Sequence, residues 1–235
     1  MIWNGRFHFD KDWAAYRGAS ADNAQHAHAA IQLCFGIGAR VALIDASGRT
    51  VTGDALYVKS CVRHQLVPIK HVLIVLVEPH STRGRALGGG LPRDDFGLCP
   101  PAVAASVDIN APLAECLRND EHAARSSPNG LDPRLANALT RLISNSTEKA
   151  SLAAIAHEVG VSPSRLRHLA QTQLGLPLSK YVLWRKLGLA SRALSRGESL
   201  AAAALAGGFS DQAHFTNSMR ALIGLTPKEA QGPLS

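Results

Sequence analysis

Ala204-Leu205-Ala206-Gly207-Gly208-Phe209-Ser210-Asp211-Gln212-Ala213-His214-Phe215 decides the reading of this chain, because the sequence writes nearly the same device earlier. Ala156-x-x-x-Gly160-Val161 recurs as Ala204-x-x-x-Gly208-Phe209 at an offset of 48. After one extra turn residue, Leu166 and Gly175-Leu176 recur at an offset of 49 as Phe215 and Gly224-Leu225. Each copy has the parts of a helix-turn-helix. A small Ala lets the second helix cross closely, Gly supplies the left-handed backbone that ends the first helix, and the next apolar residue plugs the turn. Ser162, with Pro163 at the first helical position, and Asp211 then cap the second helices. One A-x-x-x-G arises by chance in many helices. Two in register, each with plug, cap and anchor, specify a repeated unit.

Outward from the repeat, the periodicity predicts helices over about 151–159, 163–173, 178–195, 199–206 and 211–222. An earlier helix is capped by Asp132 and started by Pro133, with Leu135, Leu139, Leu142 and Ile143 at helical spacing. If Leu166 and Leu169 face inward, Ser164, Arg165, Arg167, His168 and Gln171 are left outside. With Phe215 and Met219 inward, the outward set is Gln212, Ala213, Thr216, Asn217 and Arg220. These residue types read DNA: Arg pairs bidentately with guanine, Gln and Asn with adenine, and Ala touches the thymine methyl. Ser164, Thr216 and Arg220 serve phosphates equally well. The other use of such a helical repeat is to bind protein.

Charge follows the same division. Of the 235 residues, 1–133 hold 13 Lys and Arg against 13 Asp and Glu, whereas 134–235 hold 12 against 5, which is the whole excess of +7. A cationic C-terminal part beside a neutral N-terminal one fits a polyanionic partner for the former. Hydrophobic residues are 46% and charged residues 18% of the chain, so both parts should fold. The reading is 1–121 as one domain, 122–131 as a linker and 132–235 as the second domain.

The first domain reads as β-rich. Short apolar runs at Ile31 to Phe35, Val41 to Ile44, Val51 to Asp54, Ala55 to Val58 and Val72 to Val77 are broken by turn signals such as Ala46-Ser47-Gly48. Such a meander suits a small barrel or sandwich. Thr82 to Arg93 reads as a loop, Pro101 to Leu117 as helical, and His122 to Gly130 as polar linker. Cys34, Cys61, Cys99 and Cys116 form no C-x-x-C pair and read as reduced, mostly buried thiols, although two of them could still meet in space as a redox pair. No run approaches the roughly 18 apolar residues of a membrane span, and the start lacks a signal core, so the expectation is a cytoplasmic protein without a membrane partner.

The run from Leu152 to Pro227 resembles the two-unit DNA-binding domain of the AraC/XylS transcription regulators. Gly208 to Phe215, followed by Gly224-Leu225-Thr226-Pro227, carries most of the resemblance, which extends over roughly 132–231. It implies that a helix over Leu178 to Leu194 joins the two units rigidly, so that both recognition helices enter successive major-groove segments of promoter DNA. It also implies that Ser164, Arg167, His168, Gln212, Ala213 and Asn217 read bases, and that RNA polymerase is a partner. This chain departs from the family in having Asn217 where Arg is usual, and Ala170 and Met219 where Phe is usual on the inner faces. The second departure predicts looser packing in each unit unless neighbours fill the space.

The β-rich domain is similar to the cupin-type sensing domain that precedes such readers. His26, His28, Gln32 and His64 sit where a metal-binding cupin places its ligands, with Gln32 in the place of the acidic one. Paired His at i, i+2 on a strand share a face. Three roles stay open for these residues: metal ligation, contact with a small effector, and plain structural hydrogen bonding. The expected fold is α+β, a small cupin-like barrel with accessory helices followed by an all-α domain of two helix-turn-helix units and a linker helix. The expected function is a non-enzymatic, effector-responsive transcription regulator without a required cofactor, for which the Pro101 to Leu117 stretch offers a homodimer surface or support for the barrel. The competing reading is a metal-dependent cupin enzyme fused to a DNA-binding module. It lacks an Asp or Glu beside the histidines to act as acid or base. P-loop, dinucleotide-binding and nucleophile-elbow motifs are missing as well.

Overall fold

The computed structural model describes residues 3–118, 131–144 and 151–229. The predicted linker, 122–131, falls outside them except for Leu131 at its end. Two compact units emerge, Met1–Ser127 together with Met219–Ser235, and Pro128–Ser218.

Among the described residues, nine strands build the first unit: β1 Asn4–Phe9, β2 Trp13–Ala19, β3 Ile31–Gly36, β4 Val41–Asp45, β5 Thr50–Gly53, β6 Ala55–Val58, β7 His64–Leu66, β8 Val72–Val77 and β9 Phe96–Leu98. They form a six-stranded sheet in the order β1-β2-β8-β3-β6-β9 and a three-stranded sheet β5-β4-β7, with antiparallel pairing throughout. The barrel or sandwich expected from the meander thus takes the form of two sheets.

The central strands are apolar along their length because both faces of the large sheet are covered. Side chains alternate along a strand. Ile31, Leu33 and Phe35 of β3, with Leu73, Val75 and Val77 of β8, therefore enter one core, shared with Leu87, Val103, Val107, Cys116 and Leu117. The opposite face sends Cys34, Leu56, Val58, Val72 and Ile74 into a second core with Val41, Leu43 and Leu66 of the small sheet. Gln32 is on this second face of β3, between the sheets.

Two local expectations are corrected. The stretch read as a loop contains helix α1, Thr82–Gly89, capped by Ser81, whose Oγ accepts from Gly84 N at 2.9 Å. Gly84 is required there because the Glu78 carbonyl occupies the place of a Cβ. The stretch read as helical contains only α2, Pro101–Ala104. Asp108 then accepts from Asn110 N at 3.0 Å in a side-chain turn, and Pro112 has no N–H to continue a helix.

Among the described residues six helices follow: α3 Pro133–Ser144, α4 Leu152–Glu158, α5 Pro163–Leu174, α6 Leu178–Ser195, α7 Leu200–Ala206 and α8 Gln212–Ile223. The last five lie within a residue or two of the predicted spans, and α3 starts at Pro133 as expected. Asp132 accepts from Arg134 N at 2.9 Å at the start of α3, which buries Leu135, Ala138 and Leu139.

The looseness expected at Ala170 has a compensation. At matching positions α5 buries Leu169 and Ala170 and α8 buries Ser218 and Met219, so a large and a small side chain have traded places along the inner face. Leu169→Ala should therefore cost about 2–5 kcal/mol in urea denaturation, and Ala170→Phe about 1–3 kcal/mol through overpacking. A neutral Ala170→Phe would reveal unfilled space beside α5.

Candidate nucleic-acid interface and a buried histidine cluster

Helices α4 and α5 make the first helix-turn-helix and α7 and α8 the second. The two turns close identically. Gly160 and Gly208 each have φ of 71°, in the left-handed region. Val161 N donates to Ala156 O at 2.9 Å and Phe209 N to Ala204 O at 2.9 Å. Gly160 N reaches His157 O at 3.0 Å and Gly208 N reaches Leu205 O at 2.8 Å, so both turns are complete Schellman motifs. Ala156 and Ala204 lie fully covered beneath them.

The recognition helices are capped as expected. Ser162 Oγ accepts from Arg165 N at 3.1 Å, and Asp211 Oδ1 accepts from His214 N at 2.7 Å, a bond that holds the Asp211 carboxyl below the usual carboxylate range. The first helices carry a matched pair of caps that the sequence reading did not use, Ser151 and Ser199. Their spacing equals the repeat offset, which was the available signal.

Burial separates inner from outer faces as the periodicity required. Leu166, Leu169, Phe215 and Met219 are buried, whereas Ser164, Arg165, Arg167, His168, Gln171, Gln212, Ala213, Asn217 and Arg220 are exposed and Thr216 is half-buried. Around the first recognition helix a concavity of about 680 Å³ is lined by Arg167, His168, Gln171, Lys186 and His214 over apolar Leu152, Leu178 and Val182. Most of this lining is apolar, with Arg167 and Lys186 as its positive charges.

The linker helix α6 is held to the second turn at short range. Lys186 Nζ donates to Gly208 O at 3.0 Å, and a Cβ at Gly207 would come within 2.7 Å of Ala190 Cβ.

The other predicted residues converge between the sheets of the first unit. His26 and His64 pair as an antiparallel bridge, with His26 N donating to His64 O at 3.0 Å and the reverse bond at 2.9 Å. His28, two residues on, falls on the same face. Ring centroids are 4.5 Å apart for His26 and His64, 5.1 Å for His28 and His64, and 5.7 Å for His26 and His28. Gln32 Oε1 is 2.9 Å from His28 Nε2 and 3.4 Å from His64 Nε2, and Gln32 Nε2 donates to Cys34 Sγ at 3.1 Å. Burial, reinforced by the neighbouring imidazoles, holds His26 at about 4 and His64 at about 2, and burial also lowers His28. All three rings are therefore neutral at physiological pH.

His26, His28 and Gln32 line one end of a cavity of about 40 Å³, whose other walls include Phe7, Tyr16, Ile74, Leu76, Ile223 and Leu225. Trp3 and Asn23 line it too, and their Nε1 and Oδ1 are buried without a hydrogen-bond partner in the protein. Neither was singled out from sequence, since nothing local marks them.

A chain with a β-rich unit and two capped helix-turn-helix motifs with polar, cationic outer faces has the make-up of a DNA-binding regulator. Residues 155–232 match the family model of a helix-turn-helix domain. An AraC-type transcriptional regulator from Chromobacterium violaceum is 34% identical over 44% of this chain and 93% of its own, with a TM-score of 0.40. The chain belongs, through its C-terminal part, to the AraC-type helix-turn-helix regulators. The fold as a whole is similar to ToxT from Vibrio cholerae. An apo variant matches with a TM-score of 0.61 at 12% identity over 97% of this chain and 100% of that one, and the form bound to an unsaturated fatty acid matches with 0.61 at 12% over 97% and 98%. No curated protein matches the chain. Among the described residues no helix is long and apolar enough to cross a membrane.

Gly160→Ala and Gly208→Ala should each destabilise by about 1–2 kcal/mol, because a Cβ is disfavoured in the left-handed region. Thermal unfolding of the two variants checks this, and an unchanged midpoint would mean that the turns have other ways to close.

Proposed function

We propose that this protein is a sequence-specific transcription regulator that binds promoter DNA through α5 and α8 and answers to a small effector in its β-rich unit. The observation that carries the reading is the doubled turn geometry, with a capped helix and an outward face of DNA-reading side chains after each turn. Arg167, His168 and Ser164 read bases from α5, and Gln212, Ala213 and Asn217 from α8. Arg165, Gln171, Thr216 and Arg220 contact the backbone or adjacent edges. Asn217 directs its position toward adenine rather than the guanine an Arg would choose.

The likeness to ToxT, which has been seen bound to an unsaturated fatty acid, supports a response to a small effector. The polar atoms of Trp3 and Asn23 and the apolar walls around them suit a ligand with a polar head and a hydrocarbon body. As formed, the cavity is an order of magnitude below the roughly 300–1,000 Å³ of drug-sized sites, so such a ligand would have to open it. The protein acts in the cytoplasm as a regulator rather than an enzyme, with RNA polymerase and a second copy of the chain as partners. Two-fold pairing would match half-sites spaced by whole helical turns.

Selection of bound sequences from a random duplex pool at physiological salt tests the reading. An enriched motif spanning two major-groove turns is expected. Arg167→Ala should cost about 1–3 kcal/mol at that motif and relax one base position, whereas Arg220→Ala should weaken all DNA equally and flatten the salt dependence. Equal losses on cognate and random DNA for Arg167→Ala would remove its base-reading role, and no enrichment with or without added effector would remove the function.

A further inference from the structure

The histidine cluster has a feature that neither packing nor DNA reading uses. Each Nδ1 faces a backbone carbonyl: His26 to Ala24 O at 2.9 Å, His28 to Ala30 O at 3.1 Å and His64 to Val62 O at 2.9 Å. A carbonyl only accepts, so the proton of each neutral ring is on Nδ1 and each Nε2 carries a lone pair. For His28 and His64 that lone pair meets the Gln32 side-chain oxygen, itself an acceptor. Donor atoms of the three rings lie within 4.8 Å of one another, and all three residues are at least nine-tenths buried. Electron pairs converging in a buried space repel unless a cation sits among them. Orientation of each ring by a backbone acceptor on its far nitrogen is also how metal-ligating histidines are held.

We propose that His26, His28 and His64 bind one divalent transition-metal ion of the zinc class, with the Gln32 side-chain oxygen as fourth donor. Three imidazoles and an oxygen are a donor set that suits zinc, cobalt, nickel or iron and does not suit calcium or magnesium. Zinc at about 2.0–2.1 Å from each nitrogen draws the rings closer than they now stand. The 40 Å³ cavity beside them has room for a water on the ion, and the partnerless Asn23 oxygen lines it. All four donors are neutral, so the ion keeps its full charge and would be held more tightly by a carboxylate at position 32. The inference stands independently of the DNA-binding reading.

The competing arrangement is metal-free. With the Gln32 amide reversed, its nitrogen would donate to both histidines and its oxygen would face Cys34. The two differ in the response to Gln32→Glu.

Tag-free full-length protein, stripped with a chelator and titrated with Zn²⁺ or Co²⁺, should bind one ion per chain. Co²⁺ should give visible d–d bands, and Zn²⁺ should raise the unfolding midpoint. His28→Gln and His64→Gln should weaken binding by more than the roughly 10–100-fold that outer-shell changes cost. Gln32→Glu should tighten binding at least about tenfold, a gain that mere misfolding cannot mimic. The proposal is overturned if the wild-type chain takes up no stoichiometric metal, if uptake survives both histidine substitutions, or if Gln32→Glu leaves affinity unchanged or lower.

Discussion

Each helix pair of the C-terminal part depends on one backbone residue whose φ is near +71°. With that rotation at Gly160 and Gly208, the chain reverses tightly enough for two amide bonds to close over Ala156 and Ala204. A larger side chain at either alanine would push the second helix away, and a Cβ at either glycine would oppose the reversal. Everything that meets DNA is then a matter of helical phase. Once Ser162 and Asp211 set the first residue, the period of 3.6 sends Leu166 and Phe215 inward and Arg167 and Thr216 outward. Recognition is thus positioned from the turn, and the readers themselves need contribute nothing to folding.

The β-rich unit rests on a different constraint, the covering of both faces of one sheet. Alternation along β3 sends Leu33 to one core and Gln32 with Cys34 toward the other. Three histidines and a glutamine share that second layer with aliphatic side chains. Burial there makes the rings neutral, and their carbonyl partners order them, so the polar cluster is compatible with the core around it.

What could be read from the amino acids differed between the units for physical reasons. Helical period and turn chemistry are local, and in the second half they agreed with one another twice over, so spans, caps and the outward face could all be derived. The strands with continuous apolar runs, such as Val72–Val77, were equally plain. Strands β1 and β2 were not, since Gly5 stands opposite Gly18 and a Cβ at Gly5 would fall 2.8 Å from the Gly18 Cα. Residues chosen for close backbone approach show no alternation. The grouping of His26, His28, Gln32 and His64 could be anticipated from strand period and family resemblance. Trp3 and Asn23 could not, because only the assembled cavity brings them to it.

Ser210 lengthens the second turn by one residue relative to the first, and it is accommodated there by hydrogen bonds to Asp211 Oδ2 at 3.0 Å and His214 Nδ1 at 3.1 Å. The same single residue placed inside α8 would rotate everything after it by about 100° and turn Phe215 out of the core. The two units therefore tolerate a difference in length at that joint. The fold itself marks where the outward residues of a recognition helix can be exchanged, from its cap onward, while its inward residues keep their places in the scaffold.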